Sequence, residues 1–404
     1  MTATRPAITG LGVVAPTGTT TEAYWTATLA GENGIGVATL FDADSYPSRL
    51  SGEIKGFNPA DHLSMRLLPS TDRMTQLAMV ASDRALEDAG IDLETVPEER
   101  RGTLTAASAG GYEFGQRELQ NLWSRGSKYV SAYQSYAWFY AVNTGQLSIR
   151  HGLKGHSGVV VSDGAGGLDS LGAARRRIAR GNTLMLTGAV DSSLCPWGWV
   201  AQMAPGWMST EDDPAQAYLP FDARAGGHVG GEGGAILVLE AEPRPGKDVY
   251  GYLAGHASTM DGAGETPGGG MGRAIGLALQ DAGIAGGEVD VVFADGAGTR
   301  AADQAEAAAI ESVFGPAGVP VTVPKAATGR LYSAAGALDV ATALLAMRDG
   351  VIPPTINSSP DESLRIDLVT EPREATVRSA LILARGYGGF NAALVVTRSP
   401  NTSE

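Results

Sequence analysis

Short apolar runs alternate with longer amphipathic segments along the first half of this chain. The amphipathic segments predict helices at Glu22–Ala30, with Thr21 as the N-cap, and at Ser70–Ala89, which closes at Gly90. The short apolar runs end in turn residues and predict three strands: Ala7–Val14, Thr103–Ala107 and Leu184–Val190. Helices interleaved with strands are typical of an α/β protein.

The most informative stretch is Val159–Gly181, which reads VVVSDGAGGLDSLGAARRRIARG. Its three valines predict a short buried strand, and Ser162 and Asp163 are favourable N-caps for the helix that ends at Gly181. Several enzyme families present a nucleophile on such a strand, turn and helix. Here no Cys, Ser or Thr lies between the cap and Leu168. The alternative is an ordinary strand–helix unit whose glycines permit close packing.

Two segments of the chain recur in the same order, which predicts two similar halves. ALEDAGI at Ala85–Ile91 returns as ALQDAGI at Ala278–Ile284, and GLD at 167–169 returns as ALD at 337–339. Chance is an alternative for either match alone. The segment EPRPGKD at Glu242–Asp248 resembles a hinge. We therefore predict αβ halves at 1–241 and 242–404, related by a pseudo-twofold axis.

Composition narrows the function classes. The chain has 404 residues with 43% hydrophobic content, enough for a large core, and its net charge of -14 disfavours binding to nucleic acid or to an anionic membrane. A single Cys excludes an intramolecular disulfide and favours a reducing compartment. The sequence contains neither a secretory signal pattern nor an apolar run of about 18 residues. We expect a cytoplasmic protein that does not enter the membrane.

The remaining candidates for chemistry are weak. Cys195 follows a strand rather than opening a helix, with no His nearby in sequence, and this favours a small buried residue over a nucleophile. The five histidines lack metal-ligand spacing, so we expect no metal. The runs Gly226–Gly234 and Gly268–Gly272 lack the Gly-Lys-Ser/Thr ending of a phosphate-binding loop and predict turns.

Residues 112–140 are unusually rich in aromatic side chains. Many of these have polar tips, which favours a protein interface or a pocket wall over plain core packing. The nine aromatic residues are Tyr112, Phe114, Trp123, Tyr129, Tyr133, Tyr136, Trp138, Phe139 and Tyr140.

Several motifs, in order along nearly the whole chain, resemble the β-ketoacyl synthases of the thiolase fold. They are TGLGVVAPTG, GGLDSLG, PFDARAGGHVGGEGGAILVLE, FADGAGT, PKAATGRLYSAAGALD, IPPTIN and RGYGGFN. GGYEFGQREL, SYAWFYAVNTGQ, CPWGWVAQ and TGRLYS further resemble the chain length factor, the β subunit that pairs with a catalytic ketosynthase in bacterial type II aromatic polyketide synthases. The resemblance implies a five-layer αβαβα body built from two pseudo-repeated αβ halves.

The resemblance also identifies three positions at which this chain lacks the expected catalytic group. Active ketosynthases carry a nucleophilic Cys where Gly164 stands, one His where Asp295 precedes Gly-Ala-Gly-Thr, and a second His where Arg330 follows Gly329. Lys325 is retained. Condensation needs a thiolate and charge-stabilising imidazoles, so this chain alone is not expected to form the carbon–carbon bond. We predict that Asp295 and Arg330 form a salt bridge; the alternative is two separately solvated charges.

Gly164 also departs from the chain length factors, most of which carry Gln there. A role proposed for that Gln in malonyl decarboxylation or priming cannot be carried over. Loss of the side chain is expected to open a small void, or to admit water, beside the turn.

Four positions match the residues that line the polyketide cavity in the resembled family: Tyr112, Gly115, Leu119 and Trp197. The small Gly115 and medium-sized Leu119 imply a roomier cavity, partly offset by Tyr112. Tyr136 matches a position that reaches across the dimer interface. The alternative for all five is core packing.

The resemblance implies a non-catalytic subunit that pairs with a ketosynthase α subunit and shapes the cavity for a growing polyketide. It implies no cofactor of the chain's own, because phosphopantetheine would come only with an acyl carrier protein acting through the complex. Two other functions remain open. One is a self-sufficient β-ketoacyl-ACP synthase that uses Cys195 or another group, and the other is a purely scaffolding subunit.

Overall fold

The computed structural model describes residues 5–262 and 268–400. The strands are β1 (Ala7–Val14), β2 (Ile35–Val37), β3 (Leu50–Gly52), β4 (Arg101–Ala106), β5 (Ser157–Val160), β6 (Leu184–Asp191), β7 (Gly230–Gly231), β8 (Gly233–Glu240), β9 (Gly251–Met260), β10 (Val291–Phe293), β11 (Pro320–Thr322), β12 (Val351–Ile352), β13 (Asp367–Leu368), β14 (Arg373–Glu374), β15 (Ser379–Gly386) and β16 (Phe390–Thr397). The α-helices are α1 (Thr21–Leu29), α2 (Arg73–Ala89), α3 (Tyr112–Arg125), α4 (Gln134–Ala137), α5 (Val142–His151), α6 (Gly166–Ile178), α7 (Pro196–Met203), α8 (Gly269–Ala282), α9 (Arg300–Phe314) and α10 (Ser333–Asp349).

Eleven strands form a mixed sheet in the order β13-β11-β10-β15-β16-β9-β1-β8-β6-β4-β5. A short antiparallel pairing of β1 with β9 joins the strands of the two halves. Helices α2 and α5 cover the outer face of the first half, and α8 and α9 cover that of the second. Helices α6 and α10 lie between the halves and contact strands of both. The result is the five-layer αβαβα arrangement of the thiolase-like fold, as predicted.

The sequence repeat corresponds to a structural repeat in the outer layers. Helices α2 and α8 both end at a left-handed glycine, Gly90 with φ 58° and Gly283 with φ 67°. Each helix lies against a strand glycine, Gly10 or Gly255, where even a methyl group would meet the helix backbone and its second motif alanine. The alanines and glycines of the two ALxDAGI segments thus allow equivalent helices to pack closely on their sheets.

The turn that leads into α6 differs from the sequence prediction in two ways. Strand β5 is the terminal strand of the sheet, and its residues are half-buried or exposed rather than buried; Val161, just beyond it, is 50% exposed. Neither Ser162 nor Asp163 caps α6 with its side chain within the described residues. Ser162 Oγ instead donates to Asp169 Oδ2 at 2.6 Å, and Asp163 Oδ2 accepts from the Tyr387 N–H at 2.6 Å. The polar side chains therefore tie the turn to neighbouring elements.

Three smaller predictions also need correction. The N-cap of α1 is Thr20, not Thr21, and α2 begins after the N-cap Asp72. Gly269–Gly272 form the first turn of α8 rather than a loop. Helix propensity disfavours such a start, but a side chain at Gly270 would collide with the carboxylate of Asp261, so packing outweighs propensity here.

The connection from β8 to β9, residues 241–250, contains neither helix nor strand. It crosses between the two halves, and the boundary after residue 241 stays a prediction. None of the helices in the described ranges has the length and apolar character needed to cross a membrane.

Candidate functional site

Gly164 lies in a single 3-10 turn, Asp163–Ala165, between β5 and the start of α6. It is buried, and its Cα faces the carbonyl of Arg385 at the end of β15. A Cβ built on Gly164 would overlap that carbonyl oxygen and would lie 3.5 Å from Arg330 Nη2. No free space therefore lies at the Cβ position of Gly164 itself. The backbone of the second half occupies the space that a side chain would need.

Arg330 and Asp295 form the predicted salt bridge. Arg330 Nη2 lies 2.8 Å from both Asp295 Oδ1 and Oδ2, and it also donates to the carbonyl of Arg385 at 2.9 Å. The backbone N–H of Arg385 donates to Asp295 Oδ1 at 2.9 Å. Both side chains are buried, so the alternative of two separately solvated charges is wrong.

The charges around this pair are matched in a low-dielectric interior. Burial alone would raise the pKa of Asp295, but the positive charges of Arg330 and Lys325 outweigh it and lower the pKa below its ordinary value. Desolvation by itself would lower the pKa of Arg330, but the Asp295 carboxylate outweighs that effect and raises it. Lys325 Nζ donates to the carbonyl of Ala294 at 2.7 Å and pairs with Asp339 at 2.5 Å. Asp295 and Arg330 therefore face each other as oppositely charged groups, whereas burial raises the pKa of Asp339 to about 6.

Two carboxylates of α9 accept hydrogen bonds from the backbone of the loop that carries Asp295. Glu306 accepts from the N–H groups of Asp295 at 2.7 Å and Gly296 at 2.9 Å, while Asp303 accepts from Gly298 at 3.1 Å. Burial raises the pKa of Asp303 to about 7 and, with the charge of Asp295, raises that of Glu306 to about 7. The loop is thus fixed by hydrogen bonds from its own backbone.

A chamber of about 210 Å³ opens beside the turn. The exposed rings of Trp207 and Tyr387 meet at its rim, with ring centroids 5.4 Å apart. Arg330 and His228 line its interior, and burial lowers the pKa of His228 to about 3, which keeps that imidazole neutral. No thiol lines the chamber within the described residues. Among the described residues, the chamber therefore has polar side chains that could form hydrogen bonds with a ligand, but it lacks the thiol nucleophile that acyl transfer in a condensing enzyme requires.

Cys195 does not line this chamber, and its thiol is buried. It is 4% exposed, and burial raises the pKa of its thiol to about 11. Contrary to the sequence prediction, it stands at a helix N-terminus: it is the N-cap of α7, and its Sγ accepts from the Gly198 N–H at 3.5 Å. Proline at the first helical position, Pro196, is the sequence signal that could have placed it there. The interpretation of Cys195 as a buried structural residue agrees with this geometry.

Tyr112, Gly115 and Leu119 follow one another along α3, and Trp197 faces them from α7. The Tyr112 and Trp197 rings meet edge to face with centroids 5.3 Å apart, and Trp138 lies 6.0 Å from Trp197. A Cβ on Gly115 would lie 2.8 Å from Trp197 Cζ3. The indole of Trp197 thus occupies the space directly beside Gly115. The expectation that a small residue here gives a roomier cavity than a bulky one stays a prediction.

The open volume lies farther along α3. A groove of about 580 Å³ is lined by Gln116, Leu119, Gln120, Trp123, Ser124 and Trp197. Leu119 is 38% and Trp123 is 83% exposed, so the groove is open to the surface. Tyr112 lines the neighbouring chamber instead, and its contact with Trp197 lies between the two spaces. Of the four predicted cavity residues, Leu119 and Trp197 line the groove.

Most of the aromatic residues at the end of α3 and in the segment that follows it, to residue 140, lie on the surface. Trp123, Tyr129, Tyr133, Trp138, Phe139 and Tyr140 are exposed. Phe114 is buried, and Tyr136 is half-buried with its ring 5.8 Å from that of Tyr133. An apolar surface of this extent is typical of an interaction site rather than of a core.

Three polar side chains connect α3 to the elements around it, and the sequence pattern did not predict these contacts. Asp72 accepts from the Met74 N–H and the Phe114 N–H, so one buried carboxylate caps both α2 and α3. Glu118 Oε2 accepts from the Ser131 N–H at 2.6 Å, and Gln116 Oε1 accepts from the Trp197 N–H at 2.6 Å. Each contact depends on one side chain that reaches a backbone N–H of another segment, so no repeated motif marks it in the sequence.

Among the described residues, no cluster of three or more His, Cys, Asp or Glu side chains could hold a metal ion.

The sequence matches two domain families in succession. Residues 4–244 match the β-ketoacyl synthase N-terminal domain, and residues 250–359 match the β-ketoacyl synthase C-terminal domain. The chain is 57% identical to the tetracenomycin polyketide synthase ketoacyl synthase beta subunit of Streptomyces glaucescens, over 98% of this chain and 100% of that protein.

Solved structures are similar over almost the whole chain. The ishigamide ketosynthase/chain length factor matches with a TM-score of 0.88 at 27% identity, over 98% of this chain and 100% of that chain. A type II polyketide synthase acyl-carrier protein in complex with its ketosynthase bound to the hexaketide matches with a TM-score of 0.88 at 26% identity, over 98% and 100% of the two chains.

Proposed function

This chain belongs to the β-ketoacyl synthase family, and we propose that within it the chain is the non-catalytic chain length factor subunit of a type II polyketide synthase. The observation that carries the proposal is the state of the condensing site. Gly164 stands where the resemblance expects the nucleophile, and Arg330 and Asp295, which stand where it expects two imidazoles, pair with each other. A condensing-enzyme body without a condensing site requires a partner that supplies the chemistry.

The proposed partner is a ketosynthase α subunit that docks on the aromatic surface. The exposed rings between Trp123 and Tyr140 provide apolar area, and β5 pairs only with β4 among the described strands, which leaves its other edge free. A free edge beside an exposed apolar surface favours extension of the sheet by a second subunit. Tyr136 would lie within this interface.

The proposed contribution of the chain is the shape of the cavity. The groove beside Leu119 opens on the same surface, so a docked partner would close it into a tunnel for the growing poly-β-ketone. The chain would need no cofactor of its own. Phosphopantetheine would arrive on an acyl carrier protein, and since the chain carries a net charge of -14, the acidic carrier would dock on the ketosynthase. We place the complex in the cytoplasm, away from membranes and nucleic acid.

The test compares the purified chain with the reconstituted pair. Incubated alone with malonyl-loaded carrier protein, the chain should form neither polyketide nor a covalent acyl adduct detectable by mass spectrometry. With a ketosynthase it should form a stoichiometric heterodimer that makes polyketide. Product formation or an acyl adduct on the chain alone would instead support the self-sufficient synthase.

A further inference from the structure

Helix α7 begins beside the groove, and one of its first backbone N–H groups donates to a side chain of another helix. The first N–H groups of a helix lack partners inside the helix. Pro196 has no N–H, the Gly198 N–H donates to Cys195 Sγ at 3.5 Å, and the Trp199 N–H donates to the Cys195 carbonyl at 2.8 Å. The Trp197 N–H donates to Gln116 Oε1 at 2.6 Å. The acceptor for Trp197 thus comes from another helix.

This hydrogen bond connects the two helices whose side chains line the groove. Gln116 lies on α3 between Gly115 and the turn that carries Leu119, and its side chain is half-buried. Gly115 leaves the space that the indole of Trp197 enters, 2.8 Å from the position of a Cβ. Gln116 holds the backbone from which that indole projects. Gly115 and Gln116 therefore both affect the Trp197 indole. Gly115 leaves space for the ring, and Gln116 holds the backbone of Trp197 in place.

We propose that Gln116 is a positioning residue for chain-length control, which sets where the Trp197 indole closes the inner end of the groove. The inference rests on the proposed function, because it assigns Gln116 a part in shaping the polyketide cavity. Without the acceptor, the N-terminal turn of α7 loses its tie to α3, and the indole can move relative to Tyr112 and Gly115. The groove would then change length at its inner end while its outer walls stay in place.

The first experiment needs no partner. The chain and its Gln116→Leu and Gln116→Glu variants are compared by tryptophan emission and acrylamide quenching, each also in a Trp197→Phe background. Gln116→Leu removes the acceptor at similar size, whereas Gln116→Glu replaces the amide oxygen by a carboxylate oxygen that can still accept the hydrogen bond and is favourable at a helix N-terminus. We expect a changed signal with Leu, a signal close to that of the original chain with Glu, and no effect of either in the Trp197→Phe background. An unchanged signal with Leu would overturn the proposal.

The second experiment measures products. In the reconstituted pair, Gln116→Leu should change the ratio of the main product to products of other lengths by about fivefold or more, while Gln116→Glu restores the original ratio. Gln280→Leu, the same substitution at an exposed position on α8, is the matched control and should leave the ratio unchanged. Binding to the ketosynthase is titrated for each variant, so that a loss of assembly is separated from a change of length.

Two variants separate the role of Gln116 from cavity control in general. If Leu119→Phe changes product length but Gln116→Leu does not, the role of Gln116 is overturned and cavity control stands. If neither variant changes product length in an active pair, cavity control itself fails, and the role proposed for Gln116 falls with it.

Discussion

At the level of single residues, Gly164 is held in place by a contact from the other half of the chain. Its neighbour, the carbonyl of Arg385, comes from β15 and also accepts a hydrogen bond from Arg330 Nη2 at 2.9 Å. A side chain at position 164 would have to displace this carbonyl and with it the ion pair. Gly164 is not among the glycines with positive φ, so the constraint is one of space rather than of backbone conformation.

Gly164→Ala should therefore destabilise the chain. We expect a loss of about 1–3 kcal/mol in the free energy of unfolding, measured by urea denaturation, because the added methyl overpacks a buried contact. Gly276→Ala is the matched control: it lies inside α8, nothing lies within 4 Å of its added Cβ, and it should be neutral or stabilising by about 1 kcal/mol. Equal stability of the two variants would contradict the close contact at Gly164.

The buried Arg330–Asp295 ion pair should also contribute to stability. Arg330→Met leaves the Asp295 carboxylate buried without its main counter-charge, and should cost about 3–5 kcal/mol in unfolding free energy. Adding Asp295→Asn removes that charge and should recover part of the loss. A chemical denaturation series on the three proteins measures both effects. A double variant less stable than Arg330→Met would show that the pair is not the main source of the loss.

At the level of elements, α3 is fixed at three points by side chains that point in three directions. Asp72 holds its first turn to α2, Gln116 holds its second turn to α7, and Glu118 holds the segment that begins at Ser131. Burial raises the pKa of Asp72 to about 7, which shows how closed the first of these contacts is. The helix that carries the groove is therefore rigidly placed, although its outer face is open.

Glu118→Ala tests whether this rigidity matters for assembly. The Ser131 N–H loses its acceptor, and the aromatic segment must then be ordered when the partner binds, so we expect about tenfold weaker binding of a ketosynthase. Glu113→Ala, an exposed residue on the same helix, is the control and should bind normally. The dissociation constant is measured by titration of the purified subunits. Equal affinity of the two variants would mean that Glu118 serves only the fold.

The same elements show what the sequence could and could not predict. The strand Ala7–Val14 and the helix that closes at Gly90 follow from local periodicity and a glycine stop, and the structure confirms them. The Asp295–Arg330 pair followed from the resemblance, which brought distant positions together. The contact of Gly164 with Arg385 joins residues far apart in the chain and has no local pattern. The polar contacts of Gln116 and Glu118 are equally invisible, since each depends on one side chain reaching one backbone N–H.

At the level of the whole molecule, the two halves have different roles. The second half supplies Asp295, Arg330 and the carbonyl of Arg385, which form a buried hydrogen-bonded group beside Gly164. The first half supplies α3, α7 and the exposed aromatic rings, which form the open groove. The Arg330–Asp295 ion pair and the open groove thus lie in different parts of one fold.

This division makes a prediction that separates cavity control from scaffolding. Leu119→Phe enlarges a side chain that lines the groove without touching the closed condensing site, so the reconstituted pair should make shorter polyketides at a similar total rate. Leu277→Phe, on the exposed face of α8, is the size-matched control. Product lengths are measured by mass spectrometry. Identical product lengths from both variants in an active pair would favour a purely scaffolding subunit.

The free edge of β5 has a consequence for the cell that makes this protein. Among the described strands β5 pairs on one edge only, and a free strand edge beside a surface of exposed rings favours self-association until a partner covers both. Surplus copies would burden the quality-control machinery instead of accumulating harmlessly. We therefore expect the chain to stay in solution best when it is made in balance with its proposed ketosynthase partner.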